Sequence, residues 1–529
     1  MRGKSALRIP AVILILLGCA ALAAATGKQE DKTAVKGEPI HITGWANWAP
    51  GPVKDSPTFG NLYMFQVARE KFNITIDWTE ATGSTAEVTT QLGLLVASGK
   101  MPDLIERIMT TQIGQDYGRQ GAFIALEDLI ARNAPVLSAQ MKANPAYRGQ
   151  TVAPDGHIYF FPRLLEDLPR NFNGFHIRQD WLDKLGLAMP QTMDELYAAF
   201  KAFRDKDPNG NGKADEIPWS SNPYPLAWAF GIGCRGSNNV TDFFVEDGRV
   251  KFGPLDPRYR DAMTLLAKWY SEKLIDNEYL GLKASAFDTK VLQDQVDACY
   301  GSYAGYLTKY NKLFLQDRKS GLFVGLPAPA GPAGIRSNLG IHMELDPACG
   351  AAITVQSKQA AAITRMMDYF YSDEGRRVLY FGKEGEHYTM QGGKPVYTDK
   401  VAKHETLAIA QYLNTYVGYI SQWPSIVPGD HQLSLYDKEG KEALYTAAKT
   451  AGNRKIPILQ FTTAEVKETQ TLSRDLNTYI DEWLDGFIRG TKPLGDYDAF
   501  LDGLKKLNAE RYTALHQTAY ERYLKATGM

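Results

Sequence analysis

Apolar residues along this chain recur with two periods in turn, and the alternation predicts its architecture. Short runs of β-branched and aromatic residues at 40–43 (Ile40-His41-Ile42-Thr43), 74–78, 104–108, 174–177 and 351–355 read as strands. Between them lie helical patterns. Thr192 followed by Glu195 is a capping box that predicts a helix running to about Phe203. Over 259–274 the apolar residues Ala262, Met263, Leu266, Trp269 and Tyr270 form one helical stripe. Residues 360–371, 473–489, 497–507 and 509–524 also read as helices. Trp181, Trp269 and Trp483 fall on such stripes, which predicts core positions. Strands and helices in alternation predict an α/β fold. The tract GLPAPAGPAG at 325–334 is too rich in Pro and Gly for an element interior and reads as a crossover or long loop. There is no internal repeat.

The first residues change the picture from a plain globular chain to an exported one. Arg2, Lys4 and Arg8 precede an apolar run at 9–17, the order of an export signal. Leu16-Leu17-Gly18-Cys19 follows at once and is similar to a bacterial lipobox, which makes Cys19 a lipidated first residue of the mature chain. The same residues also fit ordinary signal-peptidase cleavage near Ala23 or Ala25, or an uncleaved anchor. Residues 1–27 are thus read as leader and 28–38, polar and without apolar period, as a tether. No later segment approaches the roughly 20 apolar residues of a membrane span. The 529 residues carry 59 Lys and Arg against 60 Asp and Glu. A chain so balanced presents no broad basic surface, which argues against nucleic acid. With Cys19 set aside, Cys234, Cys299 and Cys349 are an odd number without C-x-x-C spacing. They fit three buried thiols, or one disulfide and a free thiol.

Several stretches carry a family resemblance in their order: ASGKMPD at 97–103, DGHIY at 155–159, IRQDWLDKLGL at 177–187, DKDPNGNGKADEIP at 205–218, YSDEGRRVLYFGKEGEHYT at 371–389 and IPILQFTTAE at 456–465. Together they resemble the extracellular solute-binding lipoproteins of ABC importers, in the branch with alginate-binding and other oligosaccharide-binding members. The resemblance implies a two-lobed periplasmic-binding-protein fold with ligand in the interlobe cleft. It implies an N-lobe of 39–160 and 325–395 and a C-lobe of 161–324 and 396–529. It further implies a carbohydrate as ligand, the ABC permease as partner, a monomer, and a place in the periplasm or on the outer face of the cell membrane.

The sharpest chemical signal is DKDPNGNGKADE at 205–216. Acids and amides at every second position, with Gly where the chain must turn, supply the six or more oxygens that Ca2+ takes. Two registers fit. One starts at Asp205, with Asp207, Asn209 and Glu216. The other starts at Asp207, with Asn209, Asn211, the Lys213 carbonyl, Asp215 and Glu216. The second uses every oxygen-bearing side chain from Asp207 onward and matches what the alginate-binding relatives imply. With no hydrolytic motif beside the loop, the ion's role would be structural. A polar turn closing the preceding helix is the plainer reading of the same residues.

Sugars stack their C–H faces on aromatic rings, so aromatics in Gly- or Pro-containing loops after strands are the ligand candidates. Trp45 and Trp48 follow the first strand; Tyr303 and Tyr306 sit between glycines; Trp228 and Trp423 lie in similar settings. Arg163, near the first expected crossover, could meet a carboxylate or hydroxyls. The opposing reading for each aromatic is core packing. A secreted carbohydrate-active enzyme would share the export signal and the aromatic content, but there is no G-x-S-x-G elbow, phosphate loop or zinc motif, and the 8 His are scattered.

Overall fold

The structure is a computed structural model. It describes residues 38–48, 57–106, 111–165, 173–235, 242–317, 321–337, 345–418, 420, 422–450 and 454–529. Cys19 and the leader lie outside the described residues.

Ten strands form the two principal sheets: β1 (Ile40–Asn47), β2 (Ile74–Ala81), β3 (Leu104–Glu106), β4 (Phe161–Leu165), β5 (Asn173–Arg178), β6 (Ile217–Trp219), β7 (Val296–Ser302), β8 (Phe323–Leu326), β9 (Leu345–Ile353) and β10 (Ile426–Val427). The first sheet has the order β10-β4-β9-β3-β1-β2 and the second β8-β5-β7-β6. Each sheet is the centre of one lobe, and the fold is two-lobed α/β as expected. β1 lies parallel to β2 and β3, with Ile42 opposite Ile76 and Gly44 opposite Leu104. β9 runs antiparallel to β3 and β4.

The period of two along these strands sorts side chains onto both faces of the first sheet. Ile42, Ala46, Leu104 and Ile353 enter one apolar core, with Phe65, Phe370 and Trp423; Trp45, Ile105 and Ala352 enter the other, with Leu92, Phe123 and Phe160. In the second lobe, Phe175, Ile177 and Trp219 pack with the helices Met193–Lys206, Arg258–Ser271 and Thr463–Arg489. Trp181 and Trp269 are core residues there, and Trp483 packs half-buried at the edge of the same core, against Phe487 and Phe500. Among the described residues no helix is long and apolar enough to cross a membrane. Cys234, Cys299 and Cys349 are buried and form no disulfide among the described residues.

The lobe boundaries differ from those expected. β4 belongs to the first sheet, so the first crossing comes after Leu165 rather than at 160. β8 belongs to the second sheet, and the Pro/Gly-rich tract follows it as a crossover, with Ala330 bonded to Gln191 and Met193. The third boundary moves furthest. Val401, Leu407, Tyr412, Leu413, Val417 and Trp423 all bury their side chains in the first core, and β10 pairs with β4. The first lobe therefore extends to Val427 rather than 395. These apolar residues are held by partners hundreds of positions earlier, and no local composition marks the change.

Candidate functional site

The helix Met193–Lys206 starts as its sequence predicts: the Thr192 hydroxyl accepts from the Glu195 N–H at 3.1 Å. It ends at Asp207, which takes a left-handed conformation at φ 46°. The loop that follows is folded by its own oxygens. Asp207 accepts from the N–H groups of Asn211 (3.1 Å) and Gly212 (2.9 Å), and the Asn211 side chain accepts from Lys213 (2.7 Å). Gly210 and Gly212 sit at φ 72° and 74°, where a side chain is strained. Asp215 is tied to the second sheet through Gln295 at 3.2 Å.

Glu216 is the exception in this loop. It is 8 % exposed, and neither carboxylate oxygen has a hydrogen bond of ordinary geometry. Burial pushes its pKa up, and the charges of Asp207 and Asp215 add to the shift, against a smaller lowering from nearby backbone N–H groups. A buried carboxylate met only by poorly aligned backbone N–H groups is costly unless a cation joins it. The donor set of Asp207, Asn209, Asn211, Asp215, Glu216 and the Lys213 carbonyl is all oxygen, which fits Ca2+. Among the described residues no three acidic, His or Cys side chains are already gathered at metal-ligating distance. Asp207 and the amides are instead turned onto backbone N–H groups. Asp205 pairs with Arg204 at 2.7 and 2.9 Å inside the helix, a pair the register starting at Asp207 would not have to break.

The aromatic candidates are mostly absorbed by the cores. Trp228, Tyr303 and Trp423 are fully buried, and Trp45 and Trp48 are nearly so. The Trp228 indole donates to the Cys234 carbonyl at 2.9 Å and meets Tyr300 edge-on. Tyr303 stands edge-on to His176, and Trp423 packs between Phe65 and Phe370. The Trp48 indole donates to the Asn414 carbonyl at 3.0 Å. None of the five offers a free face to a sugar in this conformation. The reason is that the first sheet is covered on both sides, so the alternation that would expose one of Trp45 and Trp48 buries both. Tyr306 alone of the aromatic candidates stays half-exposed, tilted against Phe287 and edge-on to Tyr310. Arg163 is already committed, to the Asp346 carboxylate at 2.8 Å and the Ile420 carbonyl at 3.0 Å.

A basin missed by the sequence reading lies beside the end of β1. Tyr63, Lys383, Lys400, His404, Tyr412 and Tyr416 line it, and Asn414, which holds the Trp48 indole, is in the same turn as the last two. The spacing of Tyr412 and Tyr416, one helical turn apart, was the available signal.

Residues 60–377, more than half of the chain, match the family described as bacterial extracellular solute-binding protein. The chain belongs to that family. Over 506 residues this solute-binding protein is 25% identical to the fructooligosaccharide ABC transporter substrate-binding protein FusA of Streptococcus pneumoniae serotype 4, covering 87% of each chain. Among solved structures, alginate-binding protein AlgQ2 without calcium ion is similar at TM-score 0.70 and 26% identity, with 92% of this chain and 99% of that one covered. A solute-binding protein associated with an HMO-binding ABC transporter of Bifidobacterium longum infantis shares the fold at TM-score 0.76 and 20% identity, over 92% and 99% of the two chains. These relatives are binding proteins by description.

Proposed function

We propose that this protein reversibly captures a carbohydrate, an oligosaccharide, in the cleft between its lobes and delivers it to the permease subunits of an ABC importer, without chemical turnover. The observation that carries this reading is the likeness to FusA along nearly the whole length of both chains. The two-lobed fold supplies the means. A ligand that touches both lobes makes contacts only in the closed state, and only such a difference can shift a hinge equilibrium. Moving from mostly open to mostly closed takes about 5.5 kcal/mol of differential affinity. Several stacked rings and hydroxyl hydrogen bonds, at about 1 kcal/mol each, reach that sum.

The same reading includes a monomer tethered to the membrane through lipidated Cys19, and a structural Ca2+ held by Asp207, Asn209, Asn211, Lys213, Asp215 and Glu216. The unpartnered Glu216 carboxylate supports the calcium assignment, as does the mention of calcium for AlgQ2. Of the residues first considered for the ligand, Tyr306 keeps an exposed ring for it.

The test is a thermal-shift screen against neutral and acidic oligosaccharides, followed by small-angle scattering with the best binder. A rise in melting temperature with a smaller radius of gyration and intact recovered sugar is expected. Saturation without contraction removes the closure mechanism, and cleaved sugar moves the protein to the enzyme class.

A further inference from the structure

The basin beside β1 has a volume of about 530 Å3, within the range of sites that hold small ligands. Its wall is an arc of rings. Tyr412 lies 5.0 Å from Tyr416 and 5.2 Å from His404, and Tyr63 lies 6.0 Å from His387, centroid to centroid. Tyr412 is buried, while Tyr63 and Tyr416 are half-exposed and present ring area to the opening. Such rings suit the C–H face of a sugar.

The basin's charged groups are mostly donors, while Gln66 and the Tyr hydroxyls can both donate and accept. Nδ1 of His404 accepts from the N–H groups of Thr406 (3.3 Å) and Leu407 (3.2 Å), which leaves Nε2 of the neutral ring as the N–H donor. Nδ1 of His387 likewise accepts from the Lys383 N–H at 3.0 Å. Two ammonium groups, Lys383 and Lys400, face a single carboxylate, Glu386. Lys400 bonds Glu386 at 2.7 Å and Lys383 stands 3.6 Å from its other oxygen, so the lone carboxylate is already occupied. Among the lining residues alone one positive charge is left over beside the aromatic rings, with Glu70 and Glu374 acting on Tyr63 from outside the wall. A neutral sugar would leave that charge unmet; an inorganic anion would leave the rings unused.

We propose that this basin is a binding site for a carboxylated sugar unit, a hexuronate, with its ring against Tyr63 and Tyr416 and its carboxylate between Lys383, Lys400 and the Nε2–H of His404. The inference deepens the carbohydrate-capture reading and rests on it. Every lining residue belongs to the first lobe, so the basin would be that lobe's share of the contacts, taking an acidic saccharide or one with an acidic unit at this position.

The experiment is calorimetry and saturation-transfer NMR on the full folded chain at low ionic strength. Galacturonate, glucuronate and mannuronate are each compared with the methyl ester, an uncharged analogue. At least one acid is expected to bind roughly fivefold or more tightly than its ester, with the preference shrinking as salt is added. The double variant Lys383→Gln/Lys400→Gln is expected to lose that preference. Tyr416→Ala is expected to weaken acid and ester alike, with an unchanged melting temperature in both variants. Equal binding of acid and ester, a preference that survives in the double variant, or displacement by inorganic phosphate as effective as by uronate would each overturn the proposal. A neutral oligosaccharide that closes the lobes while every uronate fails sinks this inference alone. Failure of all saccharides sinks the carbohydrate reading with it.

Discussion

The side-chain amide of Gln460 donates to the backbone carbonyl of Gln150 at 2.7 Å, and both residues are buried. Gln150 lies in the helix Pro145–Thr151, whose Tyr147 enters the first-lobe core. Gln460 lies in the segment that leads into the helix Thr463–Arg489 of the second lobe. The carbonyl of Gln460 accepts from Arg522 of the C-terminal helix Ala509–Thr527, and that of Phe461 accepts from Arg119 of the first lobe at 3.3 Å. The two lobes are thus stitched along one seam.

Gly149 sits in this seam under Tyr523 and Thr527. A Cβ there would stand 2.5 Å from the Thr527 methyl and 3.0 Å from the Tyr523 ring. Gly149→Val is therefore expected to push the C-terminal helix away, changing the radius of gyration while each lobe keeps its own core. Gln460→Ala leaves the Gln150 carbonyl short of this donor and should cost about 1–3 kcal/mol in urea unfolding. Scattering and stability identical to the parent for both variants would show the seam to be passive.

Calcium at a hundred times its dissociation constant adds about 2.7 kcal/mol to native stability. Melting in calcium and in chelator should differ accordingly for the parent. Asp207→Ala and Glu216→Gln should each erase the difference. Glu216→Gln should also melt higher than the parent in chelator, because it removes an unmet buried charge. A parent curve indifferent to chelator, with no metal in elemental analysis, counts against the site.

Three histidines kept from solvent, His176 and His431 in the cores and His516 partly covered, set an acid limit on stability. Burial lowers the pKa of His176 to about 4, of His431 to about 3 and of His516 to about 4. The unfolded chain takes up these protons near the ordinary 6.5 and the folded chain does not. Their contribution is full above 6.5 and is lost as pH falls from there toward 4, by roughly 3 kcal/mol per group at the lower end. Asp242, pushed up to about 6 by burial, acts in the opposite sense and offsets part of the loss. Urea midpoints measured from pH 7 to 4.5 should fall, and His176→Gln should flatten the curve. A midpoint constant over that range contradicts the assignment.

Trp228→Ala and Trp423→Ala should each destabilise by about 3–5 kcal/mol, since both rings are fully buried. Loss of binding in these variants should follow loss of fold, visible as a lower melting temperature before ligand is added. A variant with parental melting and impaired binding would return that tryptophan to the ligand site.

The parts legible in the sequence were those decided by near neighbours. Thr192 and Glu195 gave the start of their helix, and the spacing from Asp207 to Glu216 gave a loop whose conformation its own side chains fix. Five of the aromatic candidates are buried where distant residues decide. Trp45 and Trp48 are buried by helices and by the 412–417 turn, and nothing near them in sequence announces that cover. The helix Thr463–Arg489 begins ten residues before the expected 473 because its first turns carry few apolar residues; the capping pair Thr462 and Glu465 marks its start instead. The basin escaped notice because it joins residue 63 to residues 383–416.

The first sheet draws β1 to β4 from residues 40–165 and β9 and β10 from 345–427, with all four strands of the second sheet threaded between. Its central strand pair, β3 with β9, cannot form until some 350 residues are available, and its edge strand β10 waits for more than 420. Contacts so far apart in sequence make folding slow. If the leader directs export as an open strand, as the proposed reading has it, that delay becomes an advantage: the part made first has no finished lobe to collapse into before the last part has been synthesised.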